Sequence, residues 1–297
     1  MDDRVVVGIS GRPAARAALY WAIDYARPRR LEIELVHVVD ATFGTTPAGF
    51  LHSARDQAHS LLTREAEEAL SVAPALTFHT TVLEGSPTGA LTDWAVGAEL
   101  LVVGSHALGR FRDYVFSTHA AQIAAHAAGS VVVVPEQEEK GGAGVVVGVD
   151  GSEASLAAVR FAAEQADRLG ERLTALYCWS APAPWTEDSA MIDWPMEPDE
   201  ADRLVLAEAV AGLAERYPDL DLDLRLDLGL PVDALVTAGT GARLLVVGSH
   251  GRQGFARFWL GSVSHVIVLT MPCPVAVIRA AVTGTDATEA GPGPEPR

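Results

Sequence analysis

Gly248, Gly251 and Gly261, followed at once by Ser262 and Ser264, form the stretch of this sequence best suited to chemistry. The run reads Gly248-Ser-His-Gly251-Arg-Gln-Gly254-Phe-Ala-Arg-Phe-Trp-Leu-Gly261-Ser262-Val-Ser264 and carries Arg252 and Arg257. An apolar strand-like run, Leu244 to Val247, precedes it, and a periodic segment, Val263 to Met271, follows. Strand, glycine loop and helix start together suit an anion. Glycines let a backbone come close to a ligand, and the first amides of a helix lack internal partners and can donate to phosphate. The run is neither a Gly-x4-Gly-Lys-Ser/Thr loop nor a dinucleotide fingerprint on the first strand. On the loop alone, a connector that merely turns the chain stays open.

Asp150 is the carboxylate to weigh beside this loop, in Gly148-Val149-Asp150-Gly151-Ser152. It can meet a sugar or base, or it can cap the helix that follows; Ser152 can also cap, which would free Asp150 for a ligand. Cys178 reads as a small buried hydrophobe. His250 reads as structural, with no metal partner or nucleophile beside it. No paired carboxylates, placed general base or phosphate-loop lysine announces catalysis.

The elements that must position these residues come from a chain of 297 residues, 49% of them apolar, enough for two ordinary domains with real cores. A net charge of −17 argues against nucleic acid and against an anionic membrane surface. Two isolated cysteines give neither a disulfide framework nor a zinc site. Met1-Asp-Asp-Arg runs straight into a strand, and no apolar run reaches the roughly 18 residues a span needs. A soluble, cytoplasmic protein is expected.

The chain repeats itself. Val5-Val-Val-Gly8 returns as Val145-Val-Val-Gly148, an offset of 140, and Leu100-Leu-Val-Val-Gly104-Ser-His106 returns as Leu244-Leu-Val-Val-Gly248-Ser-His250, an offset of 144. Periodicity predicts strands over 4–9, 31–39, 77–83, 99–104 and 130–134, and helices over 13–27, 50–71, 88–97 and 117–128. The second copy reads as strands 145–150, 172–179, 222–228, 243–248 and 274–279, with helices 153–169, 199–216, 232–241 and 262–271. Alternating β and α segments imply a doubly wound, five-stranded parallel sheet in each copy. The domains are expected at 1–136 and 145–280, joined by a Gly-rich linker, with a disordered tail at 281–297. The acidic stretch between Ser180 and Glu200, with Trp185 and Trp194, reads as a lid, an interface or, most commonly for such stretches, a plain loop packed by its own aromatics.

The spacing Gly248-x2-Gly251-x9-Gly261-Ser262 resembles the nucleotide-binding signature of the universal stress protein family, and the likeness runs through both copies, about residues 4–279. The resemblance implies a Rossmann-like, adenine nucleotide alpha hydrolase-like fold and an ATP-binding stress regulator or sensor. It implies ATP as ligand, with Mg2+ able to accompany the phosphates although no ligand set marks it. By this resemblance Asp150 becomes a ligand contact, Gly148, Val149 and Cys178 line the adenine, and Val247 and Gly248 close the base and ribose side. Gly251, Gly261, Ser262, Val263 and Ser264 hold phosphate, chiefly through amides, and Arg252 adds charge.

The first copy departs from the pattern. Ser10 stands for Asp150, Ala107 for Gly251 and Ser117 for Gly261, while Thr118 keeps a hydroxyl. A Cβ at Ala107 is costly if the position needs positive φ, and it blocks a phosphate. One competent site, in the second copy, is expected. The apolar runs 131–134 and 275–278 would be hazardous as free edges; pairing with each other resembles how single-domain family members dimerise, and a homodimer of the whole chain stays open. Two other functions remain: a slow ATPase or nucleotidyl-transfer enzyme, and a non-nucleotide dimeric scaffold.

Overall fold

The computed structural model describes residues 2–42, 48–105, 118–136, 142–180, 197–251 and 260–280. Arg252, Arg257, Ala107, Ser117, the tryptophans at 185 and 194, and the tail 281–297 lie outside them. The first repeat runs β1 (Asp2–Gly8), α1 (Pro13–Ala26), β2 (Glu32–Asp40), α2 (Ala48–Val72), β3 (Phe78–Gly85), α3 (Pro87–Trp94), β4 (Ala98–Ser105), α4 (Thr118–His126) and β5 (Val131–Pro135). The second runs β6 (Val145–Val149), α5 (Glu153–Leu169), β7 (Leu173–Trp179), α6 (Glu200–Ala209), α7 (Leu213–Arg216), β8 (Leu222–Leu228), α8 (Pro231–Gly239), β9 (Leu244–Gly248), α9 (Ser262–Thr270) and β10 (Val275–Ile278).

The helix expected over 199–216 is two helices. The chain breaks at Gly212, which adopts φ 79° before α7, a conformation an L side chain adopts only at a cost. A capping box opens α6: Asp199 accepts from the Asp202 amide, and Asp202 accepts in return.

Each repeat is a parallel five-stranded sheet, and the two join into ten strands in the order β3-β2-β1-β4-β5-β10-β9-β6-β7-β8. The join is antiparallel, with Val133 opposite Val275, Val132 opposite Ala276 and Val131 opposite Val277. These residues are buried, so the two most apolar strand edges cover one another. At the outer edges, β3 carries His79, Thr80 and Thr81, and β8 alternates Asp223, Arg225 and Asp227 with leucines, of which Leu224 and Leu228 are exposed; charges along an edge work against further strand addition.

The strands are apolar on both faces because helices cover both. Val5 and Val7 join one core cluster and Val6 the other; Val145 and Val147 are likewise separated from Val146. On one face the repeats also meet through side chains. Tyr25 stacks on Phe161 with ring centroids 6.1 Å apart, and Arg29, 3.9 Å over the Tyr25 ring, pairs with Glu164 at 3.0 Å.

Candidate functional site

In the second repeat β6 lies between β9 and β7, so the winding direction reverses beside β6, where ligands of open α/β sheets bind. The ends of β6 and β9 carry Gly148 to Asp150 and Gly248. A Cβ on Gly248 would stand 2.9 Å from the Ala154 carbonyl carbon and the Ser155 nitrogen. Its counterpart Gly104 is tighter still, 2.2 Å from the Ala14 carbonyl carbon and oxygen. These glycines let the helix after the first strand of each repeat close onto the sheet, a task the motif reading did not foresee.

Asp150 is not the helix cap. Ser152 caps α5, its Oγ accepting the Ser155 amide at 3.2 Å. The Asp150 amide in turn donates to Ser155 Oγ at 3.1 Å. The carboxylate is split in its duties: Oδ1 accepts the Ser152 amide at 2.9 Å, while Oδ2 stands 2.7 Å from the point a Cβ on Gly251 would occupy. Gly251 is not in the positive-φ region. What a Cβ would meet here is a carboxylate oxygen, the movable end of a side chain, and not a strained backbone.

Ser152 Oγ also donates to the His250 carbonyl at 3.1 Å, tying the loop after β6 to the loop after β9. That second loop hangs on Ser249. Its amide donates to the Ile278 carbonyl at 2.9 Å, and its carbonyl accepts the Gly261 amide at 2.8 Å. The buried Ser264 hydroxyl is shared between the Ser249 and Gly261 carbonyls, at 3.2 and 3.1 Å. Ser264 therefore has its backbone amide, more than its hydroxyl, to offer a ligand. His250 Nδ1 lies 3.0 Å from Ser249 Oγ.

The N-terminus of α9 begins against this loop: the Cβ position on Gly261 is 3.5 Å from His250 Cα and from Ser249 oxygen. Among the described residues no side chain caps α9. The His265 amide closes the first turn onto the Gly261 carbonyl at 2.9 Å, which leaves the amides of Ser262, Val263 and Ser264 without intrahelical acceptors. Ser262 is exposed. Asp150, Gly251, Gly261, Ser262 and Ser264 are thus gathered through Ser152, Ser249 and His250. An anion would meet donors here without a competing cap.

Val149 and Val247 sit differently. Both side chains are buried, in opposite core clusters, so only their backbone can line a pocket. Cys178 is half-buried, and burial first, then the carboxylate of Asp227, pushes its thiol up to about 11. A thiol held that high is little ionised near neutral pH.

The first repeat differs at a residue the sequence pattern did not single out. His37 Nδ1 lies 2.7 Å from the Ile9 carbonyl oxygen and donates to it. At the 140-residue offset Ile9 corresponds to Val149 and His37 to Tyr177, whose hydroxyl turns instead to Asp202 at 3.0 Å. The signal was an imidazole where the second copy has a phenol, legible only once the repeats are aligned through the sheet.

A family model described as the Universal stress protein family matches residues 1–135 and 144–279, one match per repeat. The chain belongs to the universal stress protein family. A universal stress protein of Mycobacterium tuberculosis is 32% identical over 293 residues, covering 94% of this chain and 97% of the relative. A universal stress protein of Mycolicibacterium smegmatis is 31% identical over 288 residues, covering 93% and 96%. Among solved structures, a universal stress protein from Archaeoglobus fulgidus superposes with a TM-score of 0.72 at 16% identity, covering 95% of this chain and all of that one. The two matched segments coincide with the two five-stranded halves, so the universal stress protein fold is present twice in one chain.

Proposed function

We propose that this universal stress protein binds ATP in its second repeat and acts as a nucleotide-dependent stress regulator. One observation carries the reading: among the described residues the amides of Ser262, Val263 and Ser264 are uncapped, and they open beside Gly251, whose Cβ position faces Asp150 Oδ2. The site's chemistry fits a nucleotide. Helix-start amides suit the phosphates of an acidic ligand in a chain of net charge −17 because they supply positive potential without adding side-chain charge. Asp150 Oδ2 is an acceptor for a ribose hydroxyl or an exocyclic amine. Gly148, the Val149 and Val247 backbone, Gly248 and Cys178 line the base, the α9 amides take the phosphates, and Mg2+ would accompany them.

ATP is the ligand here and supplies no chemistry of its own; the chain's residues hold and orient it. The domains are read as 1–136 and 145–280, the second bearing the site. The test is titration of ATP into the full chain and into Gly251→Ala. Saturable binding in the first, weakened at least about tenfold in the second while the circular dichroism stays unchanged, supports the reading. Equal affinities would remove the loop from phosphate binding. Release of ADP and phosphate at an appreciable rate would instead favour the slow ATPase.

A further inference from the structure

Among the described residues, no side chain caps the start of α9. It hangs on Ser249, whose carbonyl takes the Gly261 amide at 2.8 Å and the Ser264 hydroxyl at 3.2 Å. Ser249 is held in turn by the Ile278 carbonyl at 2.9 Å. Ile278 is the last residue of a strand only four residues long. What fixes the end of β10 therefore fixes the site.

The next residue, Arg279, crosses into the other repeat. Its amide donates to Ser130 Oγ at 3.2 Å. One guanidinium nitrogen donates to the carbonyls of Ala124 and Ala125, at 3.1 and 2.9 Å. Those carbonyls belong to the last turn of α4, where helix carbonyls have no internal partners and attract a cation. The clasp runs one way. At the 144-residue offset the first repeat has Pro135 in place of Arg279, which lacks both the amide donor and the guanidinium. The repeat with the intact glycine loop is the one that grips its neighbour.

We propose that Arg279 is a positioning residue for the nucleotide site: by seating the end of β10 on α4 and Ser130 of the first repeat, it holds Ser249 and hence the α9 amides in place. This rests on the nucleotide reading above. The second site is then competent only while clasped to the first repeat, which gives the degenerate repeat a task that needs no ligand.

The test uses the full chain and its variants Arg279→Ala, Arg279→Lys and, as control, Arg29→Ala. The control removes the Glu164 pair on the opposite face of the same boundary. Two readouts are taken: amide exchange at Ser249 and Gly261, and ATP affinity by titration. Arg279→Ala is expected to speed exchange at both amides and to weaken ATP about tenfold, within the usual range of site coupling. Arg279→Lys, which keeps the charge but not the planar fork, is expected between Arg279→Ala and wild type. Arg29→Ala is expected to lower thermal stability with affinity and Ser249 exchange unchanged. Wild-type binding with neither readout altered in Arg279→Ala overturns the clasp, as does an equal loss of affinity in Arg29→Ala. A wild-type chain that binds no nucleotide overturns the site reading itself, and the clasp with it.

Discussion

Asp150 Oδ2 stands 2.7 Å from the point where a Cβ on Gly251 would lie, so a side chain at 251 has to displace that carboxylate. In the first repeat the corresponding positions are Ser10 and Ala107: the carboxylate is gone and the methyl is present. The first repeat thus lacks both the acceptor and the glycine that the second repeat has.

This pairing is testable as a double-mutant cycle. Gly251→Ala pushes the Asp150 carboxylate off the Ser152 amide and is expected to cost about 2 kcal/mol of stability at most, one hydrogen bond to a charged group. In an Asp150→Ser background the same substitution is expected to cost close to nothing, because the shorter side chain leaves room. Denaturant melts of the four proteins measure it; additive penalties would mean that the two side chains do not meet.

Gly104 and Gly248 should respond unequally to alanine. The new Cβ meets backbone at 2.2 Å in the first case and 2.9 Å in the second. Gly104→Ala is expected to destabilise by about 3 kcal/mol or more, since a helix backbone has to move, and Gly248→Ala by less. Thermal melts of the two variants give the order directly.

Arg30 and Gly170 occupy one structural position, 140 residues apart, and both are left-handed, at φ 56° and φ 64°. An arginine there bears a steric cost that glycine avoids. Arg30→Gly is expected to raise stability by about 0.5–1 kcal/mol, and Gly170→Arg to lower it by a similar amount. A melt in which Arg30→Gly lowers stability would contradict this.

Cys178 should resist alkylation. With its thiol pushed up to about 11, mainly by burial, only about one in a thousand is thiolate at pH 8. Iodoacetamide should therefore modify native Cys178 at least about a hundredfold more slowly than a free thiol. Bound nucleotide should slow it further if the base covers this side chain. Mass spectrometry of timed samples measures both effects.

The fold was largely legible because its signals are local and doubled. The Val-rich runs, the helix stop at Gly170 and the two offsets mark ten strands and their order of connection, and the apolar edges 131–134 and 275–278 indicate their own pairing. The break at Gly212 was missed because an apolar helical period continues across it, and one glycine inside such a period does not by itself announce a turn. In the site, the spacing marks Gly251 for phosphate, and the structure sets it beside Asp150, a neighbour across 101 positions that is invisible to spacing. The hub at Ser249 and the clasp at Arg279 were hidden for the same reason. They act through backbone carbonyls, which carry no residue type to read.

Nucleotide stoichiometry on the purified full chain bears most directly on whether one repeat holds ATP. Denaturing the unheated protein, identifying any released nucleotide by chromatography, and titrating the stripped chain with ATP would give it. One ATP per chain, lost in Gly251→Ala, is the expected result. Two tightly bound equivalents per chain, or no binding at all, would contradict it.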